Sequence, residues 1–413
     1  MQVGLKSALS DPYLDVQQRS SQRQLSLAIS AVNDARVQNL PLNLCLILDR
    51  SGSMNGKPLE KVKAAAVNLI KKLTNRDRIS VVAFDHRAKV IIPNQLVSDS
   101  SQIERQIDTL VADGGTAIDE GLKLGIKEIA AGKQNTVSQI FLLTDGENEH
   151  GDNQRCLKLA QLASEHNITI NTLGFGEHWN QDVLEQIADS AGGSLTYIEQ
   201  PEQAIAEFEK LFTRVQTVGL TNAYLMMELM PEVRLAELKP VAQVSPETVE
   251  LPTQLEGNYF TVRLGDLMID RERIILVNLY IYPEEPGHQQ IASVQVRYDD
   301  PSLGKEALFS EIFPIEVEVQ EQYQSKPNSE VQHSVLALAK YRQTQIAEAK
   351  LQQGDLTGAA TMLQTAAKTA LQLGDEQGAT VLQTSATRLQ AGEELSQGEK
   401  KKTRLVSKTI LKQ

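Results

Sequence analysis

The sequence predicts a chain of mixed class: a doubly wound, mostly parallel α/β sheet, an antiparallel β-sandwich and a small C-terminal helical module. Three observations predict it. From Leu42 to Val218, short apolar runs alternate with helical periodicity, the pattern of a parallel sheet covered by helices. From Gly219 onward the pattern becomes period two, interrupted by prolines and Glu/Gly-rich turns, as in antiparallel strands stacked in two layers. After Ser325-Lys326-Pro327 the composition turns to Ala, Gln, Leu and Lys with helical spacing.

Residues 1–40 form an N-terminal segment in which Leu25, Leu27, Ile29 and Ala31 alternate. This strand is expected to join the later sandwich, so that the α/β domain is inserted into a split β domain. The alternative is a strand on the α/β domain's own edge. The α/β domain takes residues 41–218, with strands expected at Leu42–Leu48, Arg78–Phe84, Ala88–Ile92, Val137–Thr144, Ile168–Gly174 and Leu195–Ile198. Its first helix opens at Pro58 and repeats apolar residues at Leu59, Val62, Ala66, Leu69 and Leu73. Its last helix aligns Ile205, Phe208, Leu211, Phe212 and Val215 on one face.

Residues 219–325 are expected to form the sandwich, with strands at Tyr224–Leu229, Val233–Leu238, Tyr259–Leu264, Ile274–Ile281, Ile291–Tyr298 and Ile315–Val319. Residues 326–395 carry helical patterns over Val331–Leu351, Leu356–Leu373 and from about Glu376 to Gln390. The turn Gln353-Gly354-Asp355 is similar to that of a tetratricopeptide-type helical pair. One such unit is too few for a solenoid, so a helical hairpin or three-helix docking module is expected. Residues 396–413, with Lys400, Lys401, Lys402, Arg404, Lys408 and Lys412, read as a basic, flexible tail.

Composition narrows the function. The formal charge of −12 argues against a nucleic-acid groove, which needs a basic field. No apolar run approaches the roughly 18 residues of a membrane span. Residues 1–12 lack the basic head and apolar core of a secretory signal. Cys45 lies in an apolar strand and Cys156 on an amphipathic helix, so both read as reduced core thiols. Together these features predict a cytoplasmic protein.

The chemistry concentrates at strand ends. Leu44-Cys45-Leu46-Ile47-Leu48 runs into Asp49-Arg50-Ser51-Gly52-Ser53, a carboxylate followed by hydroxyls at i+2 and i+4. These are hard oxygen donors on a tight turn, which suits a small divalent cation. Asp113-Gly114-Gly115-Thr116 leads into a helix, and Ile140-Phe141-Leu142-Leu143-Thr144-Asp145-Gly146 ends a second strand in Asp. Carboxyl ends of central strands are where open α/β sheets build their sites. Thr116 has a competing role, because Thr116-Ala117-Ile118-Asp119 also fits a capping box.

On these residues the chain resembles the von Willebrand factor A family. Asp49, Ser51, Ser53, Thr116 and Asp145 match the five positions of that family's metal-ion-dependent adhesion site. The resemblance implies that Ser51 and Ser53 bind the metal directly. Thr116 would bind directly or through water, and Asp49 and Asp145 largely through water. It further implies an electrophilic ion completed by a Glu or Asp carboxylate from another protein. Mg²⁺ is favoured by hydroxyl-rich ligation, with Ca²⁺ and Mn²⁺ as alternatives. In the family, changes at the metal loops shift the last helix of the domain. Here that helix runs straight into the β region, so coupling to it is expected.

Catalytic readings fit less well. Gly52-Ser53-Met54-Asn55-Gly56-Lys57-Pro58 is one residue short of a phosphate loop, and Pro58 replaces the hydroxyl that Mg²⁺ requires. Gly174-Phe175-Gly176 lacks the third glycine of a dinucleotide fingerprint. A phosphatase using Asp49 would want a second Asp where Ser51 stands. The six histidines show no zinc spacing. The expectation is a non-catalytic, divalent-metal-dependent protein-binding protein. Its first alternative is an adaptor for a ring-shaped ATPase in metal insertion or complex remodelling; its second is a metal-dependent hydrolase.

Overall fold

The computed structural model describes residues 1–32, 40–269 and 271–409. The N-terminal segment forms β1 (Gln2–Leu9), β2 (Tyr13–Asp15) and β3 (Ser21–Val32). The chain then passes through β4 (Leu42–Asp49), α1 (Lys57–Lys72), β5 (Arg78–Phe84), β6 (Ala88–Leu96), α2 (Ser100–Asp108) and α3 (Ile118–Ala130). It continues with β7 (Val137–Thr144), α4 (Asn153–Glu165), β8 (Thr169–Phe175), α5 (Gln181–Ser190), β9 (Leu195–Ile198) and α6 (Ala204–Gln216). The β-rich stretch holds β10 (Val218–Leu229), β11 (Val233–Leu235), β12 (Val241–Ser245), β13 (Val249–Glu250), β14 (Gln254–Glu256), β15 (Tyr259–Met268), β16 (Arg273–Ile281), β17 (Gly287–Asp300), β18 (Lys305–Phe309) and β19 (Phe313–Gln320). Helices α7 (Ser329–Gln352), α8 (Leu356–Gln372), α9 (Glu376–Gln390) and α10 (Gln397–Lys408) follow.

The α/β sheet has the order β6-β5-β4-β7-β8-β9 and is parallel except at its β5–β6 edge. Side chains alternate across a strand, so β4 feeds two cores at once. Leu44, Leu46 and Leu48 pack with Val62, Ala66 and Phe208 from α1 and α6. Cys45 and Ile47 pack with Leu122, Leu184 and Ile187 from α3 and α5. Each of the Leu, Ile, Val and Phe side chains among these contributes about 1.5–3 kcal/mol on burial. α3 comes closest to the sheet at Gly125, where a Cβ would stand 2.3 Å from Ile47 Cδ1.

The β-rich region consists of two mostly antiparallel sheets. One has the order β1-β3-β16-β12-β13 and the other β14-β15-β10-β17-β19-β2. β3 pairs with β16 from Ser21↔Ile281 to Ile29↔Arg273, so residues on either side of the α/β domain share one sheet. Leu25, Leu27 and Ile29 meet Leu225, Met227, Val294 and Val296 of the second sheet in a common apolar cluster.

α7 lies on the first of these sheets through Val331, Leu338 and Tyr341 against Ala242, Val244 and Leu276. The next two turns share one local design. Gly354 and Gly374 adopt φ of 79° and 75°, and the following Asp355 and Asp375 accept hydrogen bonds from the amides of Gly358 and Gly378. A left-handed glycine ends one helix and an aspartate caps the next.

The expected flexible tail is corrected: residues 397–408 form a docked helix, while 410–413 lie outside the described residues. Ser396 and Glu399 make a reciprocal capping box that starts α10. Its cations meet carboxylates of the α/β domain, as Arg404 pairs with Glu185 at 2.6 Å and Lys408 with Asp189 at 2.9 Å. Long-range ion pairs, invisible in local composition, fix the segment.

Candidate metal centre

Five loops and strand ends converge above the carboxyl edge of the α/β sheet. Asp49 is fully buried at the end of β4. Its Oδ1 accepts from the Ser51 amide at 2.7 Å, and its Oδ2 accepts from Thr144 Oγ1 at 2.5 Å. The first bond closes the turn that turns Ser51 and Ser53 toward the neighbouring strand. Ser53 Oγ donates to Asp145 Oδ1 at 2.7 Å, Ser51 Oγ stands 3.4 Å from the same oxygen, and the two serine hydroxyls are 3.0 Å apart. Thr116 Oγ1 lies over the following turn, where a Cβ on Gly146 would come within 3.0 Å of it. The fold therefore gathers Asp49, Ser51, Ser53, Thr116 and Asp145.

Backbone bonds hold the loops together. The Gly52 amide donates to the Gly114 carbonyl at 2.9 Å and the Asp113 amide to the Arg50 carbonyl at 2.8 Å. The Ala117 amide donates to the Asp85 carbonyl at 2.8 Å, and the His150 amide to the Thr116 carbonyl at 2.9 Å. Arg50 pairs with buried Asp85, which also draws in the Arg87 amide at 2.8 Å. His86 and His150 close over the glycine turn: a Cβ would meet His86 Nδ1 at 2.5 Å from Gly114 and His150 Cε1 at 2.2 Å from Gly115.

Thr116 does not cap α3. Ala117 is the N-cap residue, and Asn148 Oδ1 accepts from the Ile118 amide at 2.7 Å instead. This leaves the Thr116 hydroxyl free of a capping bond. Asn148 and Thr144 are the supporting residues that sequence reasoning missed. Thr144 was detectable in part, since a hydroxyl residue beside a strand-end Asp can reach a neighbouring strand end, here that of β4 rather than β8. Asp119 and Glu120 pair with Arg155 at 2.8 and 2.6 Å. Among the described residues no group of three or more His, Cys, Asp or Glu side chains offers another cation cluster.

The electrostatics suit a cation. Burial pushes the Asp49 carboxyl up to about 6, against the lowering effect of the Thr144 and Ser51 hydrogen bonds. Burial also raises Asp145, opposed by Ser53 and Ser51. Two desolvated carboxylates beside uncharged hydroxyls leave negative charge that a divalent ion would balance. The donor set is all oxygen, and Ser51 Oγ, Ser53 Oγ and Asp145 Oδ1 form a small triangle. Mg²⁺ holds oxygens at about 2.0–2.1 Å in near-octahedral array, so adjacent ligands stand about 3.0 Å apart. The three oxygens fit one face of such a shell.

Comparison with known proteins agrees with this architecture. Residues 43–211 match the family model for the von Willebrand factor type A domain, and residues 329–413 match that for the Sll0103-like, C-terminal alpha-helical domain. The uncharacterized protein sll0103 of Synechocystis sp. (strain ATCC 27184 / PCC 6803 / Kazusa) is 60% identical over 411 residues, covering 100% of this chain and 98% of that protein. The chain belongs to the Sll0103-like family of von Willebrand factor A proteins. The uncharacterized protein YfbK of Escherichia coli (strain K12) is 28% identical over 191 residues, spanning 45% of this chain and 33% of that protein. A von Willebrand factor type A structure from Catenulispora acidiphila superposes with a TM-score of 0.83 at 19% identity, covering 99% of this chain and 97% of that one. The A domain, the two β sheets and the helical module thus recur together as a fold. Among the described residues, no helix is long and apolar enough to cross a membrane.

Proposed function

We propose that this Sll0103-like protein binds another protein through a divalent cation held at the A-domain loops. The observation that carries the reading is the oxygen triangle of Ser51, Ser53 and Asp145, with edges of 3.0, 2.7 and 3.4 Å. Ser51, Ser53 and Thr116 would supply neutral hydroxyls, and Asp49 and Asp145 the balancing charge. A divalent ion bound there would supply a Lewis-acidic position for an incoming Glu or Asp carboxylate. Mg²⁺ suits the compact triangle best, because Ca²⁺ at about 2.3–2.6 Å would spread adjacent oxygens to more than about 3.2 Å.

Asp49 serves as the anchor, spending both oxygens on Ser51 and Thr144. It orients the serine loop and would contribute chiefly its charge to a bound ion. In this reading the two β sheets form one sandwich that presents the A domain, and the site binds without catalysing. The buried free thiols Cys45 and Cys156 accord with a cytoplasmic setting.

A pull-down with the wild type, Asp49→Ala and Ser53→Ala, each with and without chelator, tests the reading. A partner captured by the wild type and lost in both variants and on chelation supports it. Capture that survives both chelation and Ser53→Ala would overturn it.

A further inference from the structure

The opposite end of the A domain, where β8 and β9 begin, faces the β region across a cleft of about 710 Å³. That lies within the range of about 300–1,000 Å³ typical of small-molecule sites. Leu157, Leu251, Pro252 and Leu264 give the cleft an apolar wall, and Arg263 and Arg273 line it as well.

The arginines are unusual in what they lack. Arg273 is buried and donates to the Asp266 carbonyl at 3.2 and 3.0 Å and to Gln243 Oε1, all uncharged acceptors. Arg263 crosses the interface to the Ser164 carbonyl at 3.3 Å. Its Nε is buried with no hydrogen-bond partner, and among the described residues it makes no ion pair. The carboxylate of Asp266 is bound to Gln139 at 2.7 Å and Thr169 at 2.9 Å instead of to either arginine.

The local charge does not balance. Arg214 and Arg263 both repel Arg273 here, with Asp266 and Glu247 as the opposing carboxylates. Glu247 lies 3.6 Å from Arg214. The other acids on the lining are engaged elsewhere: Glu250 with Lys239 and Arg342, Asp189 with Lys408. Lys158 and Glu165, of opposite charge, also line the cleft. One positive charge remains. Burial, followed by repulsion from Arg214, brings the Arg273 guanidinium down to about 10. A buried guanidinium whose hydrogen bonds all go to uncharged acceptors is costly, and its planar fork matches an oxyanion.

We propose that this cleft binds a small molecule with an oxyanion head, a carboxylate or a phosphate ester, seated at Arg263 and Arg273 with an apolar body along Leu157, Leu251 and Pro252. The site stands at the other end of the sheet from the metal loops and does not depend on a cation there.

Calorimetric titration of the full chain tests this with four probes at constant ionic strength: inorganic phosphate, phenyl phosphate, acetate and benzoate. The expected result is saturable binding of one head-group class, with the aryl form at least tenfold tighter than the bare ion. Arg263→Gln should weaken it at least tenfold. Gln161→Trp, on the exposed face of α4 lining the cleft, should exclude the aryl probes while leaving the arginines in place. Phosphate against acetate distinguishes the two head groups, and Ser53→Ala should bind as the wild type does. No saturable binding of any probe would overturn the proposal, as would wild-type affinity in Arg263→Gln. If Arg263→Gln does not fold, wild-type affinity for the aryl probes in Gln161→Trp overturns it.

Discussion

The Lys401 ammonium stands 4.0 Å from the centroid of the Trp179 ring and donates to the Glu177 carbonyl. Trp179 in turn donates to the Gly176 carbonyl at 2.7 Å and packs on Gly174, where a Cβ would come within 2.2 Å of the indole. Gly174 is in register with Thr144, the residue that holds Asp49. A cation on α10 therefore rests against the strand end next to the metal loops.

Among the acids that dock α10, Glu185 is the most buried and meets two of its cations. Glu185 meets Arg404 at 2.6 Å and Lys408 at 2.5 Å, and its side chain is 4% exposed. Glu185→Ala leaves two partly buried cations without that partner and is expected to cost about 3 kcal/mol. Lys402→Ala removes a half-exposed pair with Glu199 and should cost less than about 1 kcal/mol. Urea denaturation measures both, and limited proteolysis should cut within 397–408 only in the first variant.

Inside the helical module, Lys340 and Asp375 pair at 2.7 Å with side chains 1% and 0% exposed. Burial draws Lys340 below its ordinary value, opposed by Asp375. Lys340→Met strands a buried carboxylate and should lose about 3 kcal/mol. Adding Asp375→Asn keeps a cap for α9 and should recover at least about 1 kcal/mol in a double-mutant cycle.

Burial raises the Glu348 carboxyl from 4.5 to about 7. The folded state then binds a proton that the unfolded state releases between those values, so this group's contribution to stability falls as pH rises from about 4.5 to 7. Relative to Glu348→Gln, the wild type should lose melting temperature between pH 5 and pH 7.5. Parallel pH profiles for the two proteins would exclude the effect.

At the candidate metal loops, Ser53 is exposed while Asp49 is buried. Ser53→Ala should leave the cation-free protein within about 0.5 kcal/mol of wild type and abolish the rise in melting temperature on adding Mg²⁺. Thr144→Val removes the donor to a buried carboxylate and should cost about 1–3 kcal/mol without any cation present. Thermal scans with and without Mg²⁺ separate the two effects.

How much was legible follows from the range of each signal. Arg78–Phe84 and Val137–Thr144 were readable residue for residue, because buried strands are short apolar runs with sharp ends. The convergence of Asp49, Ser51, Ser53, Thr116 and Asp145 was readable because each lies at or beside a strand or helix boundary that local pattern reveals. α10 was not, because its partners Glu177, Asp182, Glu185 and Glu199 belong to the A domain and carry no local sign of it. β1 escaped too: only its last residue, Leu9, is fully buried, so period-two contrast is weak. The cleft arginines are legible only once two domains meet.

The pairing of β3 with β16 also has a consequence for biosynthesis. A nascent chain makes the β1–β3 hairpin early but must finish the whole A domain before Arg273–Ile281 emerges. At about 5–20 residues per second the hairpin waits on the order of ten seconds or more, with Leu25, Leu27 and Ile29 uncovered. The A domain, whose strands are continuous in sequence, is then expected to fold first on the ribosome. The waiting hairpin, with both edges open, is the segment most in need of a chaperone.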